Sequence, residues 1–334
     1  MGQYVLRRVL QGIFTLFLVI FLLHVLTTWA IQLNGNPALA FFGDRLPTQA
    51  QIAAVSARFG LGDPCYNHLG NPCLGPFVNR LKDYLSGNFG TDLHGRTVLN
   101  IVGTAAPNTL RLFLVVTVTW LLVGMTLGSV AARRRGKIAD HGIRGLSIVI
   151  DALPVFVMLL VYRYVVTVPV YTWARKQFGT DSFAALLFKP SFDSEHPMVT
   201  VIIPGLLLGL TGSAAFIRLV RAAQLENYNS DHVRAARSKG LSERHVTVFH
   251  IVRNSSIPVA TAVGIVFTEA LAGAVITEGV MNIYGMGGVL WNAVRDSDVS
   301  LVVGIVSLLA IVTIAVMIVI DVLYAALDPR IRYD

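Results

Sequence analysis

Residues 229–258 read NSDHVRAARSKGLSERHVTVFHIVRNSSIP, a thirty-residue polar stretch with more basic than acidic residues, set between two stretches apolar enough to sit in lipid. A flexible linker would be dominated by Gly and Ser. This segment is written with helix grammar instead. Asn229 or Ser230 can cap a helix that starts at Asp231, whose charge suits the positive N-terminal end. Arg237 and Lys239 fall in its last turn, and Gly240 can supply the left-handed residue that ends it. A helix of about ten residues spans about 15 Å and is marginal alone in water, so it requires a docking surface. Val233, Ala236 and Gly240 follow a three-to-four spacing beside a basic edge of Arg234 and Arg237, and Ala235 and Ala236 keep the helix slim enough to enter a groove. Ser242 caps a second helix with Val246, Phe249 and Val252 on one face, ahead of Pro258. A pair of interfacial helices whose arginines hold lipid phosphates would show the same pattern. Both readings stand on the residues alone.

The flanking sequence sets the class. Of 334 residues, 54% are apolar and 14% charged, with mean hydropathy +0.64, whereas a soluble domain carries about 25% charged residues. Six apolar stretches, near 9–31, 108–131, 146–168, 199–220, 257–277 and 301–325, approach or exceed the ~20 residues that cross a bilayer. The expectation is an all-α membrane protein of six transmembrane helices. It is organised as an N-terminal tail and first span (1–31), an extracytoplasmic loop region (32–105) and a core (106–334) that includes the polar loop 221–257. The first apolar run exceeds the roughly 7–15 residues of a secretory signal and reads as an uncleaved anchor. Within the outer region, LPTQAQIAAVSARFGLGDP and FVNRLKDYLSGNFG each predict a short helix, stopped at Gly60 and Gly87.

Charge placement gives the orientation. With both termini cytoplasmic, the inner segments hold 16 of the 27 Lys and Arg residues, including Arg133, Arg134, Arg135, Lys137 and Arg144. The net charge of +8 is distributed as these short blocks rather than as a basic stripe, and no nucleic-acid motif occurs. Cys65 and Cys73 in DPCYNHLGNPCLGP fit neither a zinc nor a Cys-x-x-Cys spacing; a local disulfide and two free thiols are both open.

Ionisable groups within spans usually face a cavity, pair or reach water. His24, Asp151, Arg163, Glu269 and Asp321 fall in or at the ends of spans, and Glu269, Asp151 and Arg163 are the candidates for lining a translocation path. Pro154 and Pro204 each interrupt a span, as a kink or as a break beside a cavity. No catalytic Ser/His/Asp set, metal cluster or acid pair has working spacing, and no Gly-x-x-x-x-Gly-Lys-Ser/Thr phosphate loop exists, since Gly136-Lys137 is followed by Ile138.

HVRAARSKGLSERHVTVFHIVRNSSIP resembles the EAA loop of ABC-transporter permeases in the longer version of the dipeptide/oligopeptide family, with Ala235, Ala236 and Gly240 at the Ala-Ala…Gly positions and Arg234 in place of the glutamate. YVLRRVLQGIFTLFLVIFLL, LSGNFGTDL, GAVITEGVMNIYGMGG and DVLYAALDPRIRY extend the resemblance to the B-type permease subunit over nearly the whole chain. The departures are Tyr284-Gly285-Met286-Gly287 where the family has Pro-Gly-x-Gly, and the insertion carrying both cysteines. The resemblance implies a type I ABC-importer permease fold (MetI-like) in a bacterial cytoplasmic membrane. It also implies that Asp231, Arg234, Ala235, Ala236, Lys239, Gly240 and Leu241 couple the spans to an ATPase. The implied partners are a homologous second (C-type) permease, one or two cytoplasmic ATPase subunits that hold ATP and Mg, and an extracytoplasmic substrate-binding protein. The chain itself would carry no cofactor, and its cargo would be a dipeptide, an oligopeptide or a peptide-like solute such as haem. The rival reading is a secondary transporter or channel that works without an ATPase.

Overall fold

The computed structural model describes residues 2–33, 37–42, 46–255, 259, 270 and 273–327; among these the chain is helical, with one isolated bridge, Thr91 to Thr97, and no strand. The helices begin with α1 (Gly2–Leu33), α2 (Gln49–Arg58), α3 (Leu74–Leu85), α4 (Val98–Arg133), α5 (Ile138–Ala152) and α6 (Val155–Phe178). They continue with α7 (Phe183–Leu187), α8 (Pro197–Tyr228), α9 (Asp231–Ser238), α10 (243–255), α11 (273–281), α12 (Met286–Arg295) and α13 (Val299–Leu327). Five of these, α1, α4, α6, α8 and α13, are long and apolar enough to cross a membrane. The expected span 257–277 lies outside the described residues except at Val259, Ala270 and from Gly273 onward.

The third span departs from the expected 146–168. Helix α5 stops at Ala152, Leu153 is extended (φ −87°, ψ 121°) and Pro154 caps a new helix that runs to Phe178. The proline ring disfavours helical backbone at the residue before it and cannot donate to a preceding turn. The membrane-length helix therefore starts after Pro154 and includes Arg163, within a π-helical turn over Tyr162–Thr167. Pro204, by contrast, sits inside an unbroken α8.

The chain divides into two compact units, residues 1–107 with 284–319 and residues 108–283 with 320–334. In the first, Val98, Ile101 and Ala105 of α4 pack with Val289, Ala293, Leu301 and Ile305. A smaller core gathers Ile31, Phe41, Leu61, Tyr66 and Cys73. Local rules shape the segment between α1 and α4. Thr48 and Gln51 form a reciprocal capping box at the start of α2, and Gly60 (φ +63°) ends the helix with the Leu61 N–H donating to the Ser56 carbonyl at 3.0 Å. Cys65 and Cys73 are joined by a disulfide, Cα to Cα 5.4 Å. That loop is fastened to α1 by polar groups. Gln32 donates to the carbonyls of Cys65 and Asn71 and accepts from the Gly70 N–H, while His24 Nε2 lies 3.1 and 3.2 Å from the Pro72 and Cys73 carbonyls. Carbonyls only accept, so His24 carries its proton on Nε2. Its place in the first span is thus structural.

In the second unit α4 and α8 pack through glycines. A Cβ on Gly205 would meet Val115 Cβ at 2.7 Å, one on Gly209 would meet the Val116 carbonyl at 2.9 Å, and one on Gly128 would meet Val220 Cβ at 2.7 Å; one on Gly124 would run into the Phe216 ring. Contacts advance together along both chains, so the two helices are parallel. Trp120 Nε1 donates to the Gly212 carbonyl at 2.9 Å and Gln224 to Ser129 Oγ at 2.7 Å, in the same register. Lipid tails provide no hydrophobic drive between helices, and close approach of small residues replaces it.

Candidate functional site

Residues 229–255 are built as a folded two-helix element. Ser230 is extended (φ −75°, ψ 154°) at the start of α9, at the expected cap position, but its hydroxyl donates to the Asn227 carbonyl at 2.6 Å and does not cap α9. Gly240 has φ +74°, and the Leu241 N–H returns to the Ala236 carbonyl, the closure expected of a helix that ends on glycine. Ser242 caps α10 through the His245 N–H at 3.4 Å.

The inward face differs from the expected one. Val233 and Ala236 of α9 are buried against Val246 and Ile251 of α10, with Tyr228 alongside. Residues Val246–Val252 form a π-helical segment, whose turn closes one residue later than an α-turn. Val246 and Ile251, five apart, therefore share the buried face, and Phe249 is 55% exposed. The three-residue spacing through Phe249 and Val252 fails for this reason.

Among the candidate coupling residues, Asp231, Arg234, Ala235, Lys239, Gly240 and Leu241 are exposed, and Ala236 is 5% exposed, inside the element. Arg234 pairs with Asp231 at 3.0 Å, and Arg237 reaches across the turn to Glu243 at 2.8 Å with its guanidinium 5.9 Å from the Tyr228 ring. The element is tied to α8: Ser255 Oγ donates to the Ala223 and Ile251 carbonyls, Asn227 to Ser255 Oγ, and Asn254 approaches His232 at 2.9 Å. A groove of about 720 Å³ beside it is lined by Arg133, Arg135, Tyr228, Arg237 and Arg244.

Helix α8 is anchored in turn to α5. Arg221 makes two hydrogen bonds, 2.7 and 2.8 Å, to the buried Asp140, and Gly136 N–H adds a third. The Arg221 guanidinium holds the Asp140 carboxyl well below the usual carboxylate range, against the opposing effect of burial. Arg218 pairs with Asp151 at 2.7 Å.

The candidate path residues Asp151 and Arg163 each have a partner within the second unit. Asp151 is bound to Arg218 with both partners partly exposed, and the Arg163 guanidinium donates to the Val280 carbonyl at the end of α11. Neither lines the mostly apolar cavity of about 200 Å³ formed by Val116, Trp120, Leu208, Thr211 and Ala270. Glu269 lies outside the described residues. Sequence reasoning passed over Glu278, which is fully buried in α11, and the glycine pairs 124/128 and 205/209, whose four-residue spacing was the available signal.

The profile of the family described as binding-protein-dependent transport system inner membrane component matches residues 124–333, which include α8, the two-helix element and α13. The chain belongs to this family. Similarity extends beyond the matched region. A Brucella ovis protein named provisionally as a peptide permease is 30% identical over 338 residues, 99% of each chain. An oligopeptide transport system permease protein of Bacillus subtilis is 28% identical over 336 residues, all of both chains. A dipeptide transport system permease protein of Escherichia coli is 28% identical over 352 residues, covering 100% of this chain and 99% of its own. The permease is thus an all-helical, multi-pass membrane component, and its two-helix element lies inside the family's own region.

Proposed function

We propose that this permease is the B-type membrane subunit of an ATP-driven importer for short peptides or a peptide-like solute. The end-to-end similarity to proteins named as dipeptide and oligopeptide permeases carries this reading. The chain resides in a bacterial cytoplasmic membrane with six spans and both termini inside. It pairs with a homologous C-type permease, receives cargo from an extracytoplasmic binding protein, and docks α9 and the Gly240 turn onto one or two ATPase subunits that bind ATP and Mg. A driven switch needs a ligand with different affinity for the two states; nucleotide at the ATPase is that ligand. A prefolded α9–α10 pair fixed to α8 by Asn227 and Ser255 supports transmission of ATPase closure into a span.

The test is uptake of a panel of dipeptides, longer peptides, glutathione, nickel chelates and haem in cells lacking this gene, with and without the restored chain. ATP-dependent uptake of peptides supports the reading; uptake driven by an ion gradient in ATP-depleted vesicles would overturn it in favour of a secondary transporter.

A further inference from the structure

The first unit holds a pocket of about 120 Å³ that is separate in sequence from the coupling element, formed by the outer end of α1, by α3 and by the first turns of α13. Two stacked aromatic pairs stand in its wall, Phe41 with Phe59 at 4.7 Å between centroids and Tyr84 with Phe89 at 4.8 Å. Arg80 of α3 also lines it, and the buried Arg80 Nη1 has no hydrogen-bond partner among the described residues. Asp83, one turn further along α3, borders the same pocket without forming an ion pair with Arg80 among the described residues.

A guanidinium stays charged at every accessible pH, so leaving its buried Nη1 end without an acceptor is costly. Its planar fork matches the two oxygens of a carboxylate. The other buried titratable group in the wall does not compete for that role: burial pushes the Tyr66 phenol above its ordinary range, so it stays neutral, although Arg80 acts in the opposite sense. At about 30 Å³ per water, the space admits a carboxylate and the carbon that bears it, with the remainder of a ligand outside.

We propose that this pocket is a carboxylate-recognition site in which Arg80 receives either a small organic acid or the C-terminal carboxylate of a short peptide, with the aromatic pairs covering the attached carbon. The peptide source rests on the import reading above; the carboxylate chemistry does not.

The experiment uses the assembled transporter in nanodiscs and ligand-observed NMR titration with acetate, the dipeptide Ala-Phe and its C-terminal amide. The acid should bind at least about 10-fold more tightly than the amide, the effect of one charge-assisted contact. That ratio should fall to about one in Arg80→Gln and return in part in Arg80→Lys. The acid–amide comparison on the unmodified protein needs no mutation, so misfolding of a variant cannot mask the outcome. Arg80-dependent binding of acetate alone keeps the site and makes a free acid its ligand. No acid preference and no acetate binding in the unmodified protein, or a preference that survives in Arg80→Gln, overturns the proposal. ATP-dependent uptake of Ala-Phe, measured in parallel, separates the two readings. Uptake without Arg80-dependent acid binding removes the pocket and leaves the importer. Arg80-dependent acid binding without uptake of any peptide keeps the pocket and removes the peptide cargo.

Discussion

Ala235 and Ala236 are neighbours of one chemical type with opposite environments, the first exposed on α9 and the second buried against α10. A bulky replacement tests two different things at the two sites. Ala235→Trp should lower copurification with the ATPase and leave the melting temperature of the permease unchanged. Ala236→Trp should lower both, because overpacking a filled site costs about 1–3 kcal/mol. Equal effects at both positions would contradict this assignment of faces. The sequence displayed both alanines, and the three-to-four spacing placed Val233 and Ala236 on one face; that the face turns inward depends on Val246 and Ile251 meeting it. Asp193 shows a residue effect of another kind. Its carboxylate accepts from Lys189 Nζ at 2.5 Å and from the Glu195 and His196 backbone N–H groups, and Lys189 foremost lowers its pKa to about 2. A depressed carboxylate contributes stability that is complete above the unfolded value of about 3.9 and is lost as pH falls through the folded value. A carboxyl ¹³C titration of Asp193 should therefore show its midpoint near pH 2, moving toward 4 in Lys189→Met.

At the scale of elements, the α4–α8 contact is the most exacting in the second unit. Gly209 faces the Val116 backbone carbonyl, which cannot swing aside as a side chain can. Gly209→Leu should separate the helices and lower the melting temperature of the purified permease. Gly103→Leu, on the same α4 with open space around its Cα, should have a small effect. Comparable losses from both would show that helix propensity, not close approach, governs the result. Helix ends were legible because they obey local rules: Gly60, Gly87 and Gly240 all have positive φ where helices were expected to stop. The π-helical turns at Tyr162–Thr167 and Val246–Val252 were not legible, since an i to i+5 closure has no side-chain signature and arises from packing on both sides.

For the whole molecule, the parallel contact of α4 and α8 requires their like-numbered ends to lie on one side of the membrane. With α6 as the return span between them, residues near 136 and near 229 fall on one side. In the proposed orientation, with both termini cytoplasmic, single cysteines placed at Gly136 and at Asn229, in a chain whose Cys65 and Cys73 are replaced by Ser, should react with a membrane-impermeant maleimide added outside only after permeabilisation; one at His68 should react at once. Reaction of Gly136 and His68 from the same side would refute the topology. The sequence by itself determined the all-helical membrane class and the existence of a capped polar insert, because hydropathy and caps act over a few residues. Tertiary structure alone decided which alanine faces out, that Asp140 and Asp151 belong to arginines on α8, and that the buried Arg80 Nη1 has no acceptor among the described residues. Those outcomes depend on groups brought together from distant parts of the chain, and no local pattern records which of them will meet.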